Sequence, residues 1–227
     1  MSARSDDNIH KWGPDERHRM WVDGVKGGTW FIFVHGGAWR DASKTHLTGK
    51  HLCETIEAKF PGMYSGFASL DYRLSPNSKH PDPVTDVTAA VNVVKWEFSP
   101  EKIVLAGHSC GAMLAAQAYD QLFHSSMPVT NFFGIDGIYD LQSLVKEYPD
   151  YEEFVSQEFG PRSEWPSSPD YKTLPNLTLI HSVKDTLLSL NQSKEVQKVT
   201  GCKLIELPNG DHDEIIEDMD ISEYFKV

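Results

Sequence analysis

Cysteine is scarce in this sequence. Three of the 227 residues are cysteines, and Cys53, Cys110 and Cys202 are far apart along the chain. This spacing lacks the paired motifs of zinc sites and the density of a disulfide framework. We expect three reduced thiols and a cytoplasmic protein.

Basic residues and long apolar runs are also few. Lysine and arginine number 21 against 33 aspartates and glutamates, which gives a formal net charge of −12. Nucleic acids and anionic membranes select basic patches, so we expect neither as a partner. Residues 1–8 are polar, and no apolar run approaches the length of a membrane span, so we expect neither a secretory signal nor a membrane anchor. The sequence favours a small-molecule substrate and leaves a homodimer open.

One stretch carries the clearest chemical signal. Residues 103–106 form an apolar run typical of a buried strand, Gly-His-Ser-Cys-Gly follows at 107–111, and a helix-forming segment comes next. A GxSxG motif between a strand and a helix predicts the nucleophile elbow of an α/β-hydrolase, with Ser109 on a strained turn. The N-terminal amides of the following helix would face charge that develops on an oxyanion.

The rest of the chain alternates strands with helices and has no internal repeat. The predicted strands cover residues 29–34, 66–72, 103–106, 132–136, 177–181 and 203–207. The predicted helices cover residues 45–59, 86–96, 189–199 and 213–225, besides the one after Ser109. Residues 21–25 suggest a short hairpin or a loosely ordered segment before the first predicted strand. The pattern predicts one α/β-hydrolase domain over residues 1–227, with a mostly parallel central sheet and helices on both faces.

Residues 137–173 interrupt this alternation. The segment is rich in acidic and aromatic side chains, with proline and serine towards its end. We predict that it forms a small cap over the site.

A serine nucleophile needs a base and an orienting acid, which in this fold follow it in the order Asp, His. Asp185 and His212 each lie just after a predicted strand, where functional residues of open α/β sheets are found. Asp136 and Asp140 remain alternatives for the acid. Among the other histidines, His181 falls within a strand as a core residue and His108 points away from the nucleophile. Asp211, Asp213 and Glu214 surround His212 without a recognised metal-ligand spacing, so we expect no metal.

With these residues placed, the chain resembles the kynurenine formamidase (arylformamidase) family, and most closely its short fungal form. His-Gly-Gly-Ala-Trp at 35–39 matches the family's HGGxW motif, and residues 107–111 match its nucleophile motif. Residues 136–141 and 147–151 look like the cap of the fungal enzymes. Both motifs, and a loop similar to residues 72–76, also occur in hormone-sensitive-lipase-like esterases.

The resemblance implies hydrolysis of N-formyl-L-kynurenine to L-kynurenine and formate, in tryptophan degradation and NAD biosynthesis, without a cofactor. It implies Ser109 as nucleophile, Asp185 as acid and His212 as base. The oxyanion amides would come from Gly36, Gly37 and Cys110. Trp39 and the cap tyrosines, among them Tyr139, would form an aromatic wall for the substrate. Arg40, Arg162 and Lys184 are candidates to bind its charged groups.

Two other functions stay open. The chain could be a broad-specificity carboxylesterase, or a non-catalytic binding protein on a hydrolase scaffold. An intact Ser, Asp and His in the expected order argues against the second.

Overall fold

The computed structural model describes residues 8–123 and 128–227. Its centre is an eight-stranded sheet with the order β1-β2-β4-β3-β5-β6-β7-β8. The strands are β1 (Ile9–Lys11), β2 (Arg19–Gly24), β3 (Thr29–Val34), β4 (Gly66–Leu70), β5 (Lys102–His108), β6 (Val129–Ile135), β7 (Thr178–Ser182) and β8 (Lys203–Leu207). From β4 to β8 all neighbouring strands run parallel, whereas β1 and β2 pair antiparallel at one edge. The predicted α/β-hydrolase fold with a mostly parallel sheet is confirmed.

The edge formed by β1 and β2 is more ordered than residues 21–25 suggested. β2 pairs with β1 on one side and with β4 on the other, where Trp21 lies opposite Ser69. Met20 and Trp21 are both buried. A long-range partner, β4, holds this segment in the sheet, and the local sequence does not reveal such a partner.

Seven α-helices connect or flank the strands in the described residues. They are α1 (Lys50–Lys59), α2 (Asp82–Phe98), α3 (Cys110–Phe123), α4 (Leu141–Glu147), α5 (Glu152–Phe159), α6 (Asn191–Thr200) and α7 (Glu214–Glu217). Helix α2 begins four residues before its predicted start, with Pro83 in its first turn, where a missing N–H costs no hydrogen bond. The predictions for the start of α1 and for the C-terminal helix need larger corrections.

Helix α1 starts five residues later than predicted. The Thr45 amide donates to Thr48 Oγ1 at 2.9 Å, and the Leu47 amide donates to Thr45 Oγ1 at 3.2 Å. These side-chain acceptors offer the backbone an alternative to helical hydrogen bonds, so residues 46–49 form turns.

The single helix predicted for residues 213–225 is wrong. The chain forms the short α7, then a separate 3₁₀ turn at Ser222–Phe225. Asp220 lies between them, and its carboxylate accepts the Ser222 amide at 3.1 Å. An aspartate that bonds two residues ahead favours a turn over a helix, which explains the break.

The sheet separates two apolar cores. Along β3, Trp30, Ile32 and Val34 face the core that contains α2 and α3, while Phe31 and Phe33 face the core that contains α1 and the C-terminal residues. All five side chains are fully buried. Burial on both faces is typical of a central parallel strand and explains its nearly continuous apolar sequence.

No helix among the described residues has the length and apolar character needed to cross a membrane. The three cysteines are unpaired, as predicted, with Cys53 and Cys110 buried.

Candidate active site

Ser109 lies on a strained turn between β5 and α3. Its φ is 54°, a left-handed value that L-residues rarely adopt. A Cβ at Gly107 would lie 2.4 Å from Gly111 O, and a Cβ at Gly111 would lie 2.3 Å from His35 O. Neither distance is tolerable, so only glycine fits at these two positions of the motif. The predicted elbow geometry is confirmed.

The structure brings Asp185 and His212 together at the ends of β7 and β8. His212 Nδ1 lies 2.7 Å from Asp185 Oδ2, and the Asp185 side chain is fully buried. Asp185 Oδ1 accepts the amides of Leu187 and Leu188, each at 2.8 Å. With its other oxygen held by two amides, the carboxylate is fixed in position and orients the imidazole, so that Nε2 is left to act on a hydroxyl.

Asp136, the alternative acid, lies behind Asp185. It is fully buried at the end of β6, and its Oδ1 accepts the Ser182 amide at 2.8 Å. Its Oδ2 has no hydrogen-bond partner among the described residues. Burial, and then the charge of Asp185, raise the pKa of Asp136 well above its ordinary value. Burial therefore disfavours the charged form of Asp136. His212 is bonded to Asp185, and Asp136 accepts from Ser182 instead.

His181 is a core residue, as predicted. Its Nδ1 lies 2.8 Å from Ser193 Oγ and its Nε2 lies 3.2 Å from Leu188 O. Since a carbonyl only accepts, Nε2 carries the proton and Nδ1 accepts from the serine. Burial lowers the pKa of His181, in keeping with a neutral ring.

Ser109 and His212 open into one cavity of about 590 Å³. Its wall combines apolar side chains with a charged rim. The lining residues are Gly37, Ala38, Arg40, Asp41, Ala42, Lys44, Ser109, Ile138, Tyr151, Phe154, Leu187, Leu188, His212 and Asp213. Segment 137–173 supplies Ile138, Tyr151 and Phe154, so this part of the predicted cap does border the site.

A larger groove of about 760 Å³ lies elsewhere, between α4, α6 and Tyr171. Ser109, Asp185 and His212 do not line it. The smaller cavity is therefore the candidate active site, because it alone of the two contains Ser109 and His212, the predicted nucleophile and base.

Comparison with known proteins agrees with this geometry. A family model described as alpha/beta hydrolase fold matches residues 31–165. The kynurenine formamidase of Meyerozyma guilliermondii is 32% identical over 211 residues, which covers 84% of this chain and 79% of that protein. The kynurenine formamidase of Eremothecium gossypii is 31% identical, and the match covers 74% of this chain and 77% of that protein. The chain belongs to the kynurenine formamidase family.

Solved structures support the fold of this formamidase-family chain and nothing narrower. Esterase B of Lactobacillus rhamnosis, in complex with a tributyrin phosphonate, superposes with a TM-score of 0.73 at 14% identity. The match covers 97% of this chain and 83% of the esterase. At that identity the likeness carries no information on the substrate.

The three predicted oxyanion residues of this family member lie around Ser109 in different ways. Gly37 lines the cavity, and within the described residues neither its amide nor that of Cys110 has an acceptor. Gly36 lies beneath Ser109 instead, with its carbonyl accepting from Tyr72 Oη at 3.1 Å. A Cβ at Gly36 would lie 2.8 Å from Ser109 Cβ, so this glycine permits the close approach of two loops.

Ala38 was missed by the sequence analysis and lies on the cavity wall next to Gly37. Its φ is 49°, and Gly37 before it has a φ of 100°. The motif offered no signal for it, since alanine is not typical of this conformation.

The two predicted substrate contacts, Trp39 and Tyr139, lie outside the cavity wall. Trp39 is completely buried, and its ring packs against Phe159, with centroids 5.0 Å apart, and against Phe154. Tyr139 is buried under α6, where its hydroxyl approaches Gly134 and Gly137. Trp39 thus supports Phe154 from behind, and the wall itself is formed by Phe154 and Tyr151.

His108, next to Ser109 in the chain, packs on His212, the predicted base. The two imidazole centroids are 4.7 Å apart, and His108 Nε2 lies 2.9 Å from the His212 carbonyl. Burial, and then the charge of His212, lower the pKa of His108 well below its ordinary value, so the ring is neutral. As a neutral donor to a carbonyl, His108 fixes the backbone that presents the base.

Two groups of side chains have possible metal-ligand atoms within 4.8 Å of one another. The first contains His108, His212 and Asp213, and the second contains Asp136, His181 and Asp185. Partners within the chain already hold most of these atoms: His212 binds Asp185, and Asp213 pairs with Lys44 at 2.9 Å. We read both groups as hydrogen-bonded networks of the site.

Proposed function

We propose that this chain hydrolyses N-formyl-L-kynurenine to L-kynurenine and formate, as a step of tryptophan degradation and NAD biosynthesis. The observation that carries the proposal is the Asp185–His212 pair, at 2.7 Å, opening onto the same cavity as Ser109 in a member of the kynurenine formamidase family. Ser109 is the nucleophile in this proposal, His212 the base and Asp185 the acid that orients it.

The first half-reaction transfers the formyl group to Ser109. Ser109 Oγ attacks the formyl carbon while His212 Nε2 takes the hydroxyl proton, and the amides of Gly37 and Cys110 stabilise the oxyanion. The C–N bond then breaks, and His212 returns the proton to the departing aryl amine. A formyl ester on Ser109 remains.

The second half-reaction restores the enzyme. Water attacks the formyl ester as His212 Nε2 takes one of its protons, and collapse of the intermediate releases formate while Ser109 Oγ recovers a proton from His212. Asp185 orients His212 and stabilises the imidazolium that forms twice in each cycle. No step calls for a redox or metal partner.

The organisation around this site is also a proposal. We infer a single domain over residues 1–227, in which residues 137–173 act as a cap, since Tyr151 and Phe154 border the cavity. A cytoplasmic location is supported by the unpaired cysteines. The homodimer stays a prediction.

The proposal is tested by identifying the products. Incubation of the protein with N-formyl-L-kynurenine should release L-kynurenine, followed by its absorbance, and an equal amount of formate, followed with formate dehydrogenase. Hydrolysis of aryl esters with no release of formate from N-formyl-L-kynurenine would replace this proposal with the carboxylesterase.

A further inference from the structure

The cavity at Ser109 carries four charged side chains on its rim, namely Arg40, Asp41, Lys44 and Asp213. Lys44 and Asp213 neutralise each other: Lys44 Nζ lies 2.9 Å from Asp213 Oδ2 and 2.6 Å from Glu217 Oε1. A ligand would have to break this network to use either of them. The charges that remain for a ligand are those of Arg40 and Asp41.

Arg40 is a cation for which the described part of the chain provides no anionic partner. Its side chain is exposed, and it forms no ion pair with any residue that the structure describes. Its guanidinium carbon lies 5.2 Å from the centre of the Phe154 ring. This cation–π contact holds the side chain against the cavity wall but uses none of its five N–H donors. The donors are therefore available to a planar anion such as a carboxylate.

Asp41 offers the complementary charge beside it. Its Oδ1 accepts the Ser43 amide at 2.9 Å and the Ser43 hydroxyl at 2.7 Å, which leaves Oδ2 for another donor. Burial acts to raise the pKa of Asp41, but the Ser43 hydrogen bonds and the charge of Lys44 outweigh it and lower the pKa. Asp41 is thus an ionised carboxylate at neutral pH.

The two side chains are placed by the same turn that forms the oxyanion site. The amides of Arg40 and Asp41 both donate to Gly37 O, at 3.0 Å and 2.9 Å. The turn fixes the pair relative to Gly37, which lines the same cavity as Ser109. A substrate held at both places would extend from the acyl site to the rim.

The other candidate cations do not reach this cavity. Arg162 lies over the Trp165 ring at 5.2 Å, and Lys184 is exposed after β7; neither lines the wall. The whole chain carries a net charge of −12, which disfavours an anionic ligand unless a local cation receives it. Arg40 meets this requirement at the cavity itself.

We propose that Arg40 and Asp41 form the subsite for the amino-acid group of the substrate, with the guanidinium on the α-carboxylate and the Asp41 carboxylate on the α-ammonium. This inference rests on the proposed function, since it assigns the part of N-formyl-L-kynurenine that is not hydrolysed. The aryl ring of the substrate then lies between this subsite and Ser109, against Phe154 and Tyr151.

The test compares two formamides. N-formyl-L-kynurenine carries the amino-acid group, and 2-formamidoacetophenone has the same aryl formamide without it. The kcat/KM ratio of the two should fall about 10- to 100-fold in Arg40→Met, the range expected for a lost charge-assisted pair. Asp41→Asn should lower the same ratio, mainly through KM. Arg162→Met is the matched control, because it removes an equivalent stacked arginine away from the cavity, and it should leave the ratio at its wild-type value.

An unchanged ratio in Arg40→Met would overturn the inference, and so would an equal loss on both formamides, because Arg40 would then act on the site as a whole. Inhibition of phenyl acetate hydrolysis by L-kynurenine tests binding at the same subsite without formamide cleavage. The inhibition constant of L-kynurenine should rise in Arg40→Met by about the same factor by which the kcat/KM ratio falls. Failure of the proposed function shows up separately, as a wild-type protein that cleaves neither formamide.

Discussion

At the scale of single residues, the site depends on a serine that is held in strain and left without a partner. Ser109 has a φ of 54°, and within the described residues its hydroxyl makes no hydrogen bond. The surrounding glycines hold the backbone, so the side chain itself contributes little to the fold. Function can therefore be removed at this position without removing structure.

Ser109→Ala tests this separation. We expect kcat to fall on the order of 10³-fold or more while thermal stability stays close to wild type, since binding and the oxyanion amides remain. Steady-state kinetics with N-formyl-L-kynurenine and a melting curve measure both quantities. Activity within tenfold of wild type would show that another group carries the acyl intermediate. Wild-type protein, but not the variant, should be labelled by a fluorophosphonate.

Asp185 and Asp136 both have buried carboxyl groups, but we expect their substitution by asparagine to have very different effects on kcat. Asp185→Asn should cost about 10⁴-fold in kcat, by analogy with serine proteases, because the amide favours the wrong His212 tautomer. Asp136→Asn should stay within about tenfold of wild type, because burial raises the pKa of Asp136 and so already disfavours its charge, and the amide oxygen can still accept the Ser182 amide. Kinetics of the two variants under the same conditions decide between them. A large loss in Asp136→Asn alone would move the acid to the end of β6.

The meeting of Ser109, Asp185 and His212 at one site could be predicted from sequence, but the cavity wall could not. Motif, chain order and position after a strand were enough to expect these three residues near one another, and the structure places Asp185 on His212 and His212 in the same cavity as Ser109. Whether Trp39 or Phe154 faces the cavity depends on how α5 packs on the body, and no local pattern encodes that contact. The same packing covers Trp39 and exposes Arg40, one residue further along.

At the scale of elements, a buried carboxyl group, that of Glu158, links α5 to the body of the protein through a hydrogen bond. Glu158 accepts a hydrogen bond from Ser75 Oγ, and its other oxygen, Oε1, has no partner among the described residues. Burial raises the pKa of Glu158 from its ordinary 4.5 to about 7. Helix α5 also contains Phe154, which lines the cavity. The protonation state of Glu158 therefore affects how the helix that presents Phe154 is held against the body of the protein.

The stability of the protein should follow this titration. Between about pH 4.5 and pH 7 the folded state holds a proton on Glu158 that the unfolded chain has released, so the free energy of unfolding falls as pH rises. The titration of Glu158 lowers the free energy of unfolding by about 3 kcal/mol over that pH range, and the decrease is complete by pH 7 to 8. Glu158→Gln keeps the shape and cannot titrate, so it should lose this part of the pH dependence. Denaturant unfolding at pH 5 and pH 8 measures it.

Glu153→Gln is the control for that experiment, because it changes an exposed glutamate on the same helix and should keep the wild-type pH dependence. Identical pH dependence in Glu158→Gln and wild type would show that Glu158 is not the titrating group.

Element boundaries were predicted least well where side chains compete with the backbone. The strands at 29–34 and 203–207 were predicted to the residue. In the first of them, burial on both faces leaves a nearly unbroken apolar run. The start of α1 and the break after α7 depend on hydrogen bonds from Thr45, Thr48 and Asp220. These contacts are local but have no periodicity, and a search for apolar spacing overlooks them.

At the scale of the whole molecule, the parallel sheet brings distant parts of the chain to one edge. The ends of β3, β5, β7 and β8 supply Gly37, Ser109, Asp185 and His212. Segment 137–173 contributes Ile138, Tyr151 and Phe154 to the cavity wall. A serine mechanism built from these groups needs no metal, and EDTA should leave kcat/KM unchanged. Loss of activity on EDTA treatment, restored by a divalent cation, would instead point to one of the two His and Asp groups around His212 and His181.

The central claim, that this site is built for a formyl amide, is tested most directly by substrate competition. One preparation is assayed for kcat/KM on N-formyl-L-kynurenine, on N-acetyl-L-kynurenine and on phenyl acetate. We predict a clear preference for formyl over acetyl on the same amine, because the acyl group must fit between Ser109, Gly37 and the Cys110 amide, and a kcat/KM for the formamide at least equal to that for the ester. Equal cleavage of formyl and acetyl compounds, with phenyl acetate cleaved far faster than either, would contradict the account.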